Sequence, residues 1–151
     1  MANTQAMCTS FKTEILDGIH ALGTTVIRAG TGADTLKAAL YLASATVNAA
    51  TTAYSATGEV TGAGYSAGGI TATNANQPAN SGTTAYWTPS ASFTYTSVTL
   101  TTAFDAVLIY NSTQGNKAIS VHTFGSQTVT AGTFVLSMPT NDASTGLLRI
   151  A

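Results

Sequence analysis

A chain of 151 residues and 15.2 kDa is one domain in size, long enough to withdraw roughly two-thirds of its unfolded surface from water, so a second domain is not expected. Five basic and six acidic side chains, a net charge of −1 and a pI near 6.0 provide no basic stripe to neutralise phosphates, which speaks against nucleic acid as a direct partner. The single cysteine, Cys8, rules out an internal disulfide and a thiolate metal site, and no apolar run approaches the ~20 residues of a membrane-crossing helix.

Only 7% of the residues are charged, where a free monomer usually keeps roughly 25–35% charged residues on its surface. The polar faces must therefore be built from Thr, Ser, Ala and Gly. A neutral surface meets another neutral surface without stranding ions, which points to a building block before it points to an enzyme.

In chain order, Met7, Cys8, Phe11, Ile15, Leu16, Ile19 and Leu22 recur at three- and four-residue intervals and predict one amphipathic helix between Met7 and Leu22. Thr4 or Thr9 is the expected cap and Gly23 the expected end, with Gly18 as a costly interior residue. Residues 1–23 thus read as a helical arm. The start does not read as a signal peptide, because Lys12, Glu14 and Asp17 interrupt its apolar pattern.

From residue 24 onward the pattern changes to short runs rich in β-branched and aromatic residues, as in antiparallel sheets. Strands are expected over Thr24–Arg28, Thr35–Ala43, Gly69–Asn74, Thr84–Thr88, Ser92–Leu100, Ala103–Tyr110, Lys117–Phe124, Gly132–Met138 and Gly146–Ile150. The run Ala106–Tyr110 is apolar on both faces and reads as a central strand. Asn111–Asn116 and Thr130–Gly132 are expected hairpin turns, which makes the last three long strands a meander. Residues 45–82 hold six of the fourteen glycines and read as long surface loops around one strand. The fold expected from this is mainly β, an antiparallel β-sandwich or jelly roll with one N-terminal α-helix, in a single domain over 1–151.

Motifs for chemistry are weak. Gly62-Ala-Gly-Tyr-Ser-Ala67 fits the dinucleotide fingerprint as a string but follows no buried parallel strand and opens no helix, so no cofactor is expected. His20 and His122, with Asp105 and a serine, make a nucleophilic triad only on paper, and the acids are too scattered for a metal site. His20 is expected at the helix end and His122 within a strand. Cys8 shares the helical face of Phe11 and Ile15 and reads as a buried hydrophobe. Asn111-Ser-Thr113 is a formal glycosylation sequon that reads as turn chemistry. Tyr86-Trp-Thr-Pro89, with Phe93 and Tyr95, reads as core, with a protein interface or a sugar-stacking platform as the other uses.

The opening Met1-Ala-Asn-Thr-Gln-Ala-Met-Cys-Thr-Ser-Phe-Lys-Thr-Glu-Ile-Leu-Asp-Gly-Ile-His20 resembles a family of small virion proteins of tailed bacteriophages. Further stretches that carry the resemblance are Lys37–Leu42, Ala53–Val60, Gly64–Gly69, Phe104–Asn111 and Leu147–Ala151. The resemblance implies a non-enzymatic capsid cement or decoration protein, a homodimer or homotrimer that binds the major capsid protein on the capsid exterior, after assembly in the host cytoplasm. Met7, Phe11, Ile15, Ile19, Tyr54, Tyr65 and Trp87 are the candidate contact residues. A tail, collar or fibre module, with or without carbohydrate binding, is the alternative.

Overall fold

The computed structural model of the chain describes residues 3–16, 18–24 and 32–151. These form a mainly β architecture of two antiparallel sheets and one short helix, as the alternation of apolar residues predicts. In chain order the elements are β1 (Ala6–Met7), α1 (Thr9–Leu16), β2 (Leu36–Leu42), β3 (Ile70–Thr71), β4 (Ala79–Ser81), β5 (Thr84–Trp87), β6 (Phe93–Asn111), β7 (Lys117–Leu136) and β8 (Leu148–Ile150). The five-stranded sheet has the order β1-β7-β6-β2-β3 and the three-stranded sheet β4-β5-β8. Beyond Thr24, the strand expected over Thr24–Arg28 lies outside the described residues.

The helix is shorter than its periodicity predicts, for reasons visible at both ends. Before it, Ala6 and Met7 pair with Val121 and Ser120 of β7, so sheet hydrogen bonds claim them first. After it, Gly18 stands at φ +67, its N–H bonding Ile15 O at 3.0 Å while Ile19 N–H bonds Glu14 O at 2.9 Å. That is a Schellman cap with glycine in the left-handed position, so Gly18 terminates the helix and Gly23 does not.

The four late strands collapse into two. Ser92–Leu100 and Ala103–Tyr110 merge in β6, and Lys117–Phe124 and Gly132–Met138 merge in β7. Thr130-Ala-Gly132 is consequently no hairpin turn. The register shifts between Val98↔Gly132 and Leu100↔Val129, with Ala131 at φ +46 and Ser97 at φ +53, which makes the site a bulge inside the ladder. A turn-like tripeptide is equally suited to a bulge, and only the partner strand distinguishes the two. The Asn111–Asn116 loop does connect β6 to β7, with Gly115 and Asn116 at positive φ.

The core runs through both faces of the central strands: Leu36, Ala38, Leu40, Ala106–Ile109, Ala118, Ile119 and Val121 are all fully buried. Residues 45–69, expected as surface loops, are largely at the surface and are pinned to this sheet at several points. Val47, Glu59 and Val60 are buried, and isolated bridges join Tyr41 to Glu59, Ala53 to Lys117 and Ala63 to Thr99. Gly62 and Gly64 permit the last of these contacts, since a Cβ there would lie 2.0 Å from Thr99 O and 2.2 Å from Ser97 O.

Candidate functional site: a trench between the two sheets

One edge of each sheet among the described residues, β1 and β8, borders one trench. A hollow of about 590 Å³ is lined by Met7 of β1, Ser120 and His122 of β7, and Leu148 and Arg149 of β8. A second, of about 450 Å³, lies between Met7, Lys12, Ile15, Arg149 and Ile150. A third, of about 220 Å³ and mostly apolar, lies between Phe11, Ile15, His20, Trp87, Leu148 and Ile150. Shared walls make the three adjacent: Met7 and Arg149 line both the first and the second, Ile15 and Ile150 both the second and the third.

Of the contact residues expected from sequence, Met7, Phe11, Ile15 and Trp87 meet around this trench. Phe11 is 1% and Trp87 2% exposed, so both lie in the chain's own core, and the indole N–H donates to Asn76 O at 3.0 Å. Trp87 accordingly offers no open ring face for a sugar to stack on. Ile19 is half-buried beyond the helix end. Tyr54 and Tyr65 lie elsewhere, within the 45–69 loop, and both hydroxyls donate to the buried Glu59 carboxylate, at 2.6 and 2.7 Å. Gly68 N–H is the third donor to it, at 2.8 Å. Burial first, and then the Glu59 hydrogen bonds and charge, push both tyrosine hydroxyls well above their ordinary pKa.

At the helical end of the trench a polar chain ties α1 to the hairpin. Glu14 takes Lys117 Nζ on one oxygen and His20 Nε2 on the other, each at 2.7 Å. Asn111 Oδ1 accepts from the backbone N–H groups of Thr113 and Gln114, which fixes the orientation of its amide. Its Nδ2 then donates to Asp34 at 2.7 Å and to His20 Nδ1 at 3.0 Å. The His20 ring is therefore assigned as accepting at Nδ1 and donating from Nε2 to Glu14. Burial works to raise the Glu14 carboxyl, but the hydrogen bonds from Lys117 and His20 and the Lys117 charge outweigh it and hold the group below the usual range. Asn111 is fully buried, so the sequon is turn chemistry and no glycan site.

Ser120 Oγ and His122 Nε2 lie 2.9 Å apart on the trench floor. Burial lowers the imidazole from 6.5 to about 4, which keeps it an acceptor for the hydroxyl at neutral pH. A nucleophilic triad also needs a carboxylate on Nδ1. The described acids are committed elsewhere: Glu14 and Asp34 to the chain above, Glu59 to the tyrosines, Asp105 to Asn3, and Asp142 to its own turn with Ser144 and Thr145. Cys8 is fully buried and its thiol is pushed up to about 11 by burial and, second, by Glu14, the state of a packing residue. Among the described residues no cluster of His, Cys, Asp and Glu suits a metal ion, and no helix is long and apolar enough to cross a membrane.

Sequence reasoning did not single out Lys12, Ser120, Arg149 or Ile150 as site residues. The alternation Leu148-Arg149-Ile150 was legible as a strand, but its proximity to Met7 and Lys12 is a property of the fold alone. Comparison with known protein families, with curated proteins and with solved structures finds no match.

Proposed function

We propose that this chain is a non-enzymatic structural subunit, a capsid cement protein that binds the major capsid protein on the outside of a bacteriophage head and stabilises the mature shell. The observation that carries the reading is the distribution of charge. Three of the six acids, Glu14, Asp34 and Glu59, are buried, so the surface is poorer in charge than the already low composition. Between Ala118 and Asn141 the chain bears no Asp, Glu, Lys or Arg, although much of that stretch is exposed. Broad contact with a neighbouring protein thus costs little ion desolvation. The pinned 45–69 loop and the long hairpin supply a rigid body, and repetition over a lattice multiplies a modest affinity per copy.

The reading includes self-association as a dimer or trimer and a place on the virion exterior. Its test is to mix the purified protein with capsids lacking it, then measure bound copies per particle and the temperature at which the shell releases DNA. A fixed stoichiometry for each capsid building unit with a raised release temperature supports cement. Absence of capsid binding transfers the reading to a tail, collar or fibre part.

A further inference from the structure

We propose that the trench takes an extended segment of a different protein, added as a strand beside β8, whose side chains alternate apolar and acidic. The inference rests on the reading of the chain as an assembly subunit and names the surface by which it grips its neighbour.

β8 is the edge of the three-stranded sheet, hydrogen-bonded to β5 on one side and open on the other among the described residues. An open edge offers backbone donors and acceptors to an incoming strand. Side chains of neighbouring strands share faces, so β8 dictates the pattern of its guest. Leu148 and Ile150 both line the apolar hollow that holds Phe11 and Trp87, which Arg149 does not reach, while Arg149 lines the two hollows that hold Met7. Ile150 is 47% exposed, one of two large apolar side chains so exposed among the described residues. Apolar guest residues would cover it and fill the hollows beside Ile15.

Charge fixes the alternate positions. The described residues lining the three hollows include Lys12 and Arg149 but no Asp or Glu. Both cations are exposed, and Arg149 spends a single described hydrogen bond, to Ser144 O. A guanidinium with donors to spare at an apolar trench selects a carboxylate. The chain itself supplies no such guest. Its one apolar–acidic–apolar triplet is Phe104-Asp105-Ala106, and Phe104 and Ala106 are fully buried inside β6. The occupant is accordingly another protein, not a second copy.

The probes are two blocked heptapeptides, Thr-Val-Glu-Val-Glu-Val-Thr and its counterpart with Lys for Glu, titrated into the full chain by NMR. The acidic peptide should bind in the micromolar-to-millimolar range, shifting the amides of Ile15 and Leu148–Ile150, and the basic one should not. Arg149→Glu should weaken the acidic peptide at least about fivefold, and Arg149→Glu with Lys12→Glu should invert the preference. Both positions are exposed, and an unchanged amide spectrum away from the trench checks the fold. Equal binding of the two peptides, binding of neither, or shifts confined to another surface overturns the proposal. If the wild type binds capsids and Arg149→Glu binds them equally well, the cement reading stands and the trench proposal falls. If the acidic peptide binds but capsids do not, the trench stands and the cement reading falls.

Discussion

The β6–β7 hairpin is one continuous ladder with two halves that live in different environments. In the half nearest the turn, Ala106–Asn111 and Ala118–Val121 are at most 2% exposed, with β2 flanking one strand and β1 the other. In the far half, Thr94, Thr96, Thr101, Thr123, Thr128 and Thr133 face water while Phe93, Tyr95, Val98, Leu100 and Phe104 point inward. There the strands pair mainly with each other, with β2 reaching only to the Leu42↔Phe104 pair and an isolated bridge joining Ala63 to Thr99. Burial on two faces requires neighbours on every side, whereas burial on one needs a single cover, here the aromatic row Tyr65–Tyr95–Phe134–Phe104 with ring centroids 5.1–6.1 Å apart.

Truncation tests that contrast most directly. Leu108→Ala in the inner half should cost about 2–5 kcal/mol of stability in urea unfolding, from lost transfer energy and a residual cavity. Val135→Ala in the outer half, where the side chain is 49% exposed, should stay within about 0.5 kcal/mol. Similar losses at the two sites would abolish the distinction.

His122 marks the boundary, just past the last residue paired with β1. Its imidazole is lowered from 6.5 to about 4, so between those values the unfolded chain binds more protons than the folded one. Stability is then fully present above pH 6.5 and is lost as pH falls toward 4, by up to about 3 kcal/mol at 1.36 kcal/mol per pH unit. His122→Gln should flatten the stability profile in that window by the same amount. An unchanged slope would show that the ring is open to water.

The cover over the outer half is sharpened by Gly64→Ala. Gly64 has φ +78 and no room before Ser97 O, so the substitution should cost about 1–3 kcal/mol. It should also raise hydrogen exchange at Thr99 N–H, which bonds Ala63 O at 2.8 Å. A modest effect is expected of Tyr54→Phe over the inner half. It removes one hydrogen bond to Glu59 but leaves the ring 4.7 Å from that of Tyr110, for about 1 kcal/mol in the same urea measurement.

Periodicity was a sound guide where local and tertiary demands coincide. β2 and β5 fall within a residue or so of their expected ends, and the doubly apolar run Ala106–Tyr110 is a central strand. It misled where a second partner decides. The helical spacing began at Met7, yet Met7 is a strand residue because the β7 edge lies beside it. Gly18 looked like a flaw inside a helix and is its cap. The glycines of 45–69 suggested surface loops without showing that Gly62 and Gly64 let backbone lie against β6. Of the candidate site, the sequence supplied Met7, Phe11, Ile15 and Trp87 as large apolar side chains without showing that two of them are core and two are walls.

By itself the sequence determined a mainly β chain with one short amphipathic helix and an unusually neutral exterior, because composition and the two-residue period act locally and need no partner. The tertiary structure alone decided that Lys12 and Arg149 flank one trench and that Glu59 is buried among tyrosines. It also decided that four expected strands are two. Each of these depends on segments distant in sequence meeting in space, and the free energy of that meeting is absent from any local pattern.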